Sequence, residues 1–355
     1  MKICFILPAI SRVPIGGYKM VYEYANRFAG EQNQVFILFM NEDMFRQYPL
    51  PLTFKKLLSN IETKIEPRWY KLDKSIKKLS TNEKKWVNYA NNIDVVIATA
   101  VETVSIMEKY FFEKSKKAYF IQDYENWNVG DEIVQKTYSK GYINIVISDW
   151  LKKTVDKYSV EPSVLIRNPL DLEVYKLLTP LNQRKKHTIS LLYHEAEHKG
   201  VKYAMEVLKK LHDLYPDLEV YMFGVFEYKN SSTPWIHYTR RASQRQTIDI
   251  YNKTRIFLCA TVEEGYGLTG LEAMACGNVL VSTNYRGVRE YAIDGYNALL
   301  SPVRNTDALL SNVQRVFEDD DLYEKLAMNG QVSANKFSWD IAFQKFKAAI
   351  SSKDN

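Results

Sequence analysis

Cysteine is scarce. The 355 residues hold three, Cys4, Cys259 and Cys276, each inside an apolar stretch and none at a paired spacing. That excludes a disulfide framework and fits small buried side chains in a reducing compartment. Long hydrophobic runs are missing as well: nothing approaches the ~18 apolar residues of a membrane span. The opening MKICFILPAI imitates a secretory leader, but its apolar run is short, Pro8 interrupts it and no small-residue cleavage site follows. A cytoplasmic protein is the expectation. Neither sign of charge dominates, since 48 Lys and Arg against 42 Asp and Glu leave +6, well short of the basic stripe that nucleic acid requires, so no nucleic-acid partner is expected. No repeat of fixed period appears, and 14 Gly with 11 Pro exclude collagen-like or low-complexity chains.

What is present is an ordinary enzyme-like composition, 46% apolar and 25% charged, of a length that suggests two domains at ~150 residues each. Tyrosine stands out, with 25 against 16 Phe and 6 Trp. Short β-branched or aromatic runs alternate with helical patterns throughout, which predicts an α/β fold of two doubly wound, Rossmann-like parallel sheets. Strands are expected at 3–7, 35–39, 95–99, 118–122, 145–148 and 164–166, then at 188–192, 218–223, 256–259 and 279–282, with helices over 18–29, 149–158 and 268–276 among others. After Asn168 and Pro169, the stretch through Pro180 to His187 reads as a linker. It divides a first domain, 1–175, from a second, 187–337, leaving an all-helical tail whose last helix spans about 338–352. Ligands of such sheets bind beyond the carboxyl ends of the strands, where strand order reverses, which points to a cleft between the two domains.

Two glycine-bearing segments follow predicted strands. Gly16 and Gly17 stand just before the first helix, where they let the backbone approach an anion or a sugar oxygen. The richer segment is residues 263–277, EEGYGLTGLEAMACG, directly after the strand at 256–259. There Gly265 and Gly267 free the turn, a helix starts at Leu268, and Gly277 closes it. A helix N-terminus at a strand's carboxyl end is a ready phosphate site. Glu264 stands at its mouth, and Glu272, inside the helix, can accept two hydroxyl hydrogen bonds as from a ribose diol.

Glu264 and Glu272, seven residues apart in this context, resemble the E-x7-E pattern of the family 4 (group 1) retaining nucleotide-sugar glycosyltransferases, whose fold is the two-domain GT-B arrangement. The resemblance extends to Gly16-Gly17, to Arg167-Asn168-Pro169, to His198-Lys199-Gly200 and to Phe337-Ser338-Trp339. It implies catalytic roles for Lys199 and Glu264, with Lys199 on the donor diphosphate and Glu264 on the hydroxyls of the transferred sugar. It further implies a donor cradle of Gly16, Gly17, Asn168, His194, Gly265, the amides of Tyr266, Gly267 and Leu268, and Glu272 on the ribose. Tyr18, Asp123 and Tyr124 would face the acceptor, and the last helix would pack back on the first domain.

The activity implied is transfer of a hexosyl or deoxyhexosyl group from a nucleoside-diphosphate sugar to a saccharide or lipid-linked saccharide of the cell surface, with retained configuration and no metal or other cofactor. UDP-hexose and dTDP-rhamnose both fit. A lipid-linked acceptor would bring the chain to the inner face of the membrane as a peripheral protein, where the lysine groups (Lys55 and Lys56, Lys77 and Lys78, Lys84 and Lys85, Lys116 and Lys117) would meet it.

Two departures from the family pattern matter. Where members carry an arginine before the lysine, this chain has Tyr193 and His194, and His194 supplies a positive charge only when protonated. Where members carry His-Asp, it has Gln122-Asp123-Tyr124-Glu125. A non-catalytic sugar-nucleotide-binding partner of a glycosylation complex is therefore the rival reading. A zinc hydrolase is a third, since His194-Glu195-x-x-His198 matches HExxH by letters, although it follows a strand directly and stops at Gly200. Asp319 to Asp321 reads as a helix cap.

Overall fold

The computed structural model describes residues 1–111, 114–229 and 233–351. Two compact units emerge, one of Met1–Arg167 with the chain from Ala342 onward, the other of Asn168–Ile341. In the first, seven strands run β1 (Lys2–Leu7), β2 (Gln34–Phe39), β3 (Lys77–Ser80), β4 (Val95–Ala98), β5 (Lys116–Ile121), β6 (Ile143–Val146) and β7 (Val164–Leu165). All pair in parallel, in the order β3-β2-β1-β4-β5-β6-β7. The helices between them are α1 (Gly16–Gly30), α2 (Leu52–Ile65), α3 (Val87–Ala90), α4 (Val101–Tyr110), α5 (Asp131–Tyr138) and α6 (Asp149–Val155).

The second unit carries β8 (Thr188–Tyr193), β9 (Glu219–Gly224), β10 (Ile236–Arg240), β11 (Ile256–Cys259), β12 (Val279–Thr283) and β13 (Ala298–Ser301), with α7 (Val201–Leu214), α8 (Gln244–Lys253), α9 (Leu268–Ala275), α10 (Thr306–Glu318) and α11 (Asp320–Ala334). Its order is β10-β9-β8-β11-β12-β13, again parallel. Strands buried on both faces explain why the sequence shows continuous apolar runs rather than alternation. In each sheet the first strand lies between the second and a later one, so strand order reverses at β1/β4 and at β8/β11. The helix α12 (Trp339–Ser351) closes the described chain. Its Phe346 meets Phe5, Tyr24 and Phe120 in the first unit's core, while Ser352, the expected end of this helix, lies outside the described residues.

The boundary falls at 167/168 and not within 176–186. The supposed linker is bound into the second unit. Leu170 N–H donates to Phe337 O at 2.7 Å, and Leu178 N–H to Asn252 Oδ1 at 2.6 Å. Arg184 is buried, with its guanidinium on the carbonyls of Thr179, Tyr251, Thr254 and Cys276. Prolines and polar residues suggest a linker, yet a guanidinium can satisfy several buried carbonyls at once. Asp319 caps α11 through Leu322 N–H. The cysteines are free thiols, Cys4 and Cys276 buried and Cys259 half-buried. Among the described residues, no helix is long and apolar enough to cross a membrane.

Candidate functional site

At the β8/β11 reversal, two strand-to-helix turns lie side by side. The first, after β8, passes through His194 into a single 3-10 turn, Glu197–Lys199, and then into α7. Gly200 starts that helix in the left-handed region, φ 63°. A β-carbon there would fall 1.9 Å from Ala260 O at the end of β11, so glycine alone allows this approach. The neighbouring turn is tied on by Val262 N–H, which donates to His198 O at 2.7 Å. Lys199 is thereby aimed across the reversal, and its Nζ meets Glu264 Oε1 at 2.6 Å, both side chains about four-fifths buried at 18% and 25% exposure. The two residues expected to do the chemistry thus touch. They line a pocket with Thr261 and Thr269 over the apolar floor of Leu191 and Phe257.

The second turn gives the site its amides. Helix α9 follows Gly267, φ 90°, and no side chain among the described residues caps it; Gly270 N–H donates to Gly267 O at 3.1 Å, while the N–H groups of Leu268 and Thr269 come too early in the helix for an intrahelical partner. Its geometry is fixed from beneath: Tyr291 Oη donates to Gly267 O at 2.6 Å and lies 3.3 Å from Tyr285 Oη. Residues 265–270, GYGLTG, form a GxGxxG pattern with the usual division of labour among its glycines. A β-carbon on Gly267 would meet Tyr285 Oη at 1.9 Å, and one on Gly270 would meet Tyr291 Oη at 2.6 Å. The tyrosine pair was not legible beforehand because it comes from 18 or more residues downstream; the glycine pattern was a signal available in the sequence. Glu272, one turn into α9, is buried and accepts from Tyr251 Oη at 3.4 Å.

Some expectations change. Tyr266 is buried; its hydroxyl donates to Asn168 O at 3.2 Å and its ring packs on Tyr291 at 5.6 Å. Its ring is structural, so only its backbone remains a donor contact. Asn168 is buried beside it, with its side-chain oxygen unpartnered in the protein. His194 does not replace the family's arginine as a standing charge. Burial holds its pKa below the usual value, and Lys199 and His198 push it the same way, while its Nδ1 accepts Ala196 N–H at 2.9 Å. The ring is neutral at pH 7 and offers Nε2–H as an uncharged donor. The HExxH letters occupy a loop and a 3-10 turn, not one helix face, and no cluster of three or more metal-ligating side chains occurs among the described residues.

The remaining candidates belong to the first unit. Gly16 and Gly17 open α1, and Gln122 Nε2 donates to Gly17 O at 3.2 Å. Tyr18 Oη donates to Ala9 O at 2.5 Å. Asp123 Oδ1 accepts Tyr124 N–H at 2.8 Å, and the Tyr124 hydroxyl accepts from Gln135 Nε2 at 3.1 Å. Glu125, which the sequence left without a role, accepts Val101 N–H at 2.7 Å at the start of α4.

With this geometry in place, the comparisons are specific. Residues 179–333 match the family model described as glycosyl transferases group 1. Similar curated proteins include an uncharacterized glycosyltransferase of Methanocaldococcus jannaschii, 30% identical over 100 residues (28% of each chain). The O-antigen chain mannosyltransferase B of Escherichia coli is 29% identical, covering 30% of this chain and 27% of its own. The Campylobacter jejuni N,N'-diacetylbacillosaminyl-diphospho-undecaprenol alpha-1,3-N-acetylgalactosaminyltransferase is 26% identical, covering 47% and 45%. The matched stretches thus span from about a quarter to just under half of these relatives' lengths. Among solved structures, Anabaena HepE in complex with UDP and glucose superposes with TM-score 0.76 at 14% identity, covering 99% of this chain and 100% of its own. Sucrose-phosphate synthase from Thermosynechococcus elongatus gives 0.74 at 13%, covering 98% and 97%. The chain has the GT-B fold, two Rossmann-like α/β units. Its second unit carries the match to the group 1 glycosyltransferase model.

Proposed function

We propose that this protein is a retaining glycosyltransferase that moves a hexosyl or deoxyhexosyl group from a UDP- or dTDP-linked donor to a saccharide or lipid-linked saccharide. The observation that carries the reading is the Lys199–Glu264 pair at 2.6 Å, set beside the uncapped start of α9. A donor diphosphate has the higher claim on Lys199, because two charged phosphoryl groups meet an ammonium and helix amides together. Drawing Lys199 away releases Glu264, whose carboxylate then accepts hydroxyls of the transferred sugar. Glu272 takes the ribose diol, and His194 adds a neutral donor.

Glycosyl transfer loads negative charge onto the departing diphosphate while the anomeric carbon becomes oxocarbenium-like, so stabilising the leaving group is the main task. Lys199 and the amides of Tyr266, Gly267 and Leu268 perform it in this proposal without a metal. The acceptor oxygen bonds to the anomeric carbon on the face the diphosphate leaves, and its proton passes to a leaving phosphate oxygen. Tyr18, Asp123 and Tyr124 serve the acceptor. The relatives named for O-antigen chain and diphospho-undecaprenol substrates support a cell-surface saccharide built on a lipid carrier, made by a cytoplasmic protein at the inner membrane face.

Incubation with UDP- and dTDP-sugars and NMR of the product anomer tests this. Retention is expected; inversion contradicts the mechanism. The neutral His194 in the arginine position favours one rival, a non-catalytic nucleotide-sugar-binding partner, which would bind donor and never turn it over.

A further inference from the structure

Helix α2 is built inside out. A surface helix ordinarily turns its apolar stripe to the core, but α2 buries Ser59 and Thr63 instead. Asn41 Nδ2 donates to Thr63 Oγ1 at 3.1 Å and Asn82 Nδ2 to Ser59 Oγ at 3.0 Å, so a polar seam fastens the helix down. The opposite face carries Phe54, Leu57, Ile61 and Ile65, three or four residues apart and 48%, 53%, 45% and 45% exposed. Leu52 at 64% and Tyr48 at 49% extend the patch. Stability of the unit does not explain these side chains.

Charge says what they meet. The helix holds Lys55, Lys56 and Lys64 and a single acid, Glu62. That acid is occupied, its oxygens taken by Arg12 at 3.0 and 2.5 Å. Lys78 adds another cation at the C-terminal end, where its Nζ donates to Lys64 O and Glu66 O. We propose that the exposed face of α2 is a docking surface for an anionic lipid bilayer, its apolar stripe seated at the headgroup–acyl boundary and its lysines on the headgroups. A second copy of the same basic helix would set like charges together. The inference deepens the proposed lipid-linked acceptor and rests on that reading for its purpose, yet the surface itself is read from α2 alone.

The test is flotation of the full chain with phosphatidylcholine vesicles with and without phosphatidylglycerol. Wild type is expected to float with the anionic vesicles and poorly with the neutral ones. Phe54→Ser, Leu57→Ser and Ile61→Ser combined should lower partitioning by at least ~30-fold. Lys55→Glu and Lys56→Glu should each lower it about fivefold or more. Because these side chains are exposed or half-exposed, unfolding midpoints should hold, which keeps misfolding separate. Absence of flotation, equal binding to neutral vesicles, or undiminished binding of the triple variant overturns the proposal. So does a dimer in light scattering that the triple variant dissolves without any vesicle binding. A thermal shift by UDP or dTDP, measured without vesicles, separates the readings: vesicle failure with that shift intact sinks only the docking surface, and loss of the shift with flotation intact sinks only the transferase.

Discussion

The two sheets reverse strand order in the same way but finish the reversal oppositely. In the first unit the helix after β4 is sealed: Glu125 Oε2 accepts Val101 N–H at 2.7 Å, and Thr103 Oγ1 accepts the N–H groups of Thr99 and Ala100. In the second, the corresponding helix after β11 starts at a left-handed glycine with no capping side chain among the described residues, and a lysine stands opposite. A carboxyl group of the first unit sits where the second keeps its amides for an anion. Burial raises the Glu125 pKa to about 8, and Glu102 and Asp123 add to the shift, so it carries its proton at neutral pH. One reversal gathers carboxyl groups, with no cation among the described residues lowering the Glu125 pKa; the other sets a lysine beside helix amides, the arrangement proposed to take a diphosphate. The same topology thus supports a division of labour that is decided by what occupies one helix N-terminus.

The strongest challenge to that contrast is removal of the cation. Lys199→Ala should cut kcat/KM by roughly 10²–10³-fold, the scale for losing one preorganised partner of a developing charge; retention within tenfold would dissolve the distinction between the units. Gly267→Ala forces a β-carbon to 1.9 Å from Tyr285 Oη at φ 90° and should cost on the order of 3 kcal/mol in chemical denaturation. A wild-type denaturation curve would show that the turn yields freely. Tyr291→Phe removes the 2.6 Å bond to Gly267 O, which keeps the 3.1 Å bond from Gly270 N–H, and should cost about 1 kcal/mol. Its KM for donor should rise more than its stability falls if the bond serves the turn.

Glu125→Gln sharpens the first unit's side. A carboxyl whose folded pKa is raised from 4.5 to about 8 contributes stability that is full below pH 4.5 and lost as pH rises through 8. The wild type should therefore lose about 4 kcal/mol relative to the glutamine variant over that window, and parallel stability profiles would mean a carboxyl whose pKa folding does not raise. Smallest of all, His194→Gln should change donor affinity less than ~5-fold and without slope between pH 7 and 8, because the ring is already neutral there.

What the sequence showed and hid follows distance along the chain. Glu264 and the glycine turn were legible because they lie within a few residues of a strand end that apolar patterning finds, Glu272 because the helix that follows carries it, and Lys199 because the family resemblance pointed to it. The strands it missed, β3, β10 and β13, are all sheet edges, short and covered on one side, as in the half-exposed IHYTR of β10. The support under the donor turn was hidden because Tyr285 and Tyr291 reach it through tertiary packing. Glu125 has no role legible in the sequence, since nothing local places it against Val101. Helix α2 went unread because amphipathic spacing says which residues share a face, and only the fold says whether that face looks inward.

The central claim is that the second unit's reversal binds a diphosphate and the first unit's does not. Thermal unfolding of the full chain with UDP, dTDP or GDP measures it directly, since a ligand at 100 times its Kd stabilises by ~2.7 kcal/mol. At least one of the three should raise the midpoint in the wild type and in Glu125→Gln, and none in Lys199→Ala. A midpoint that none of them moves, or a shift that survives Lys199→Ala and vanishes in Glu125→Gln, would contradict the account.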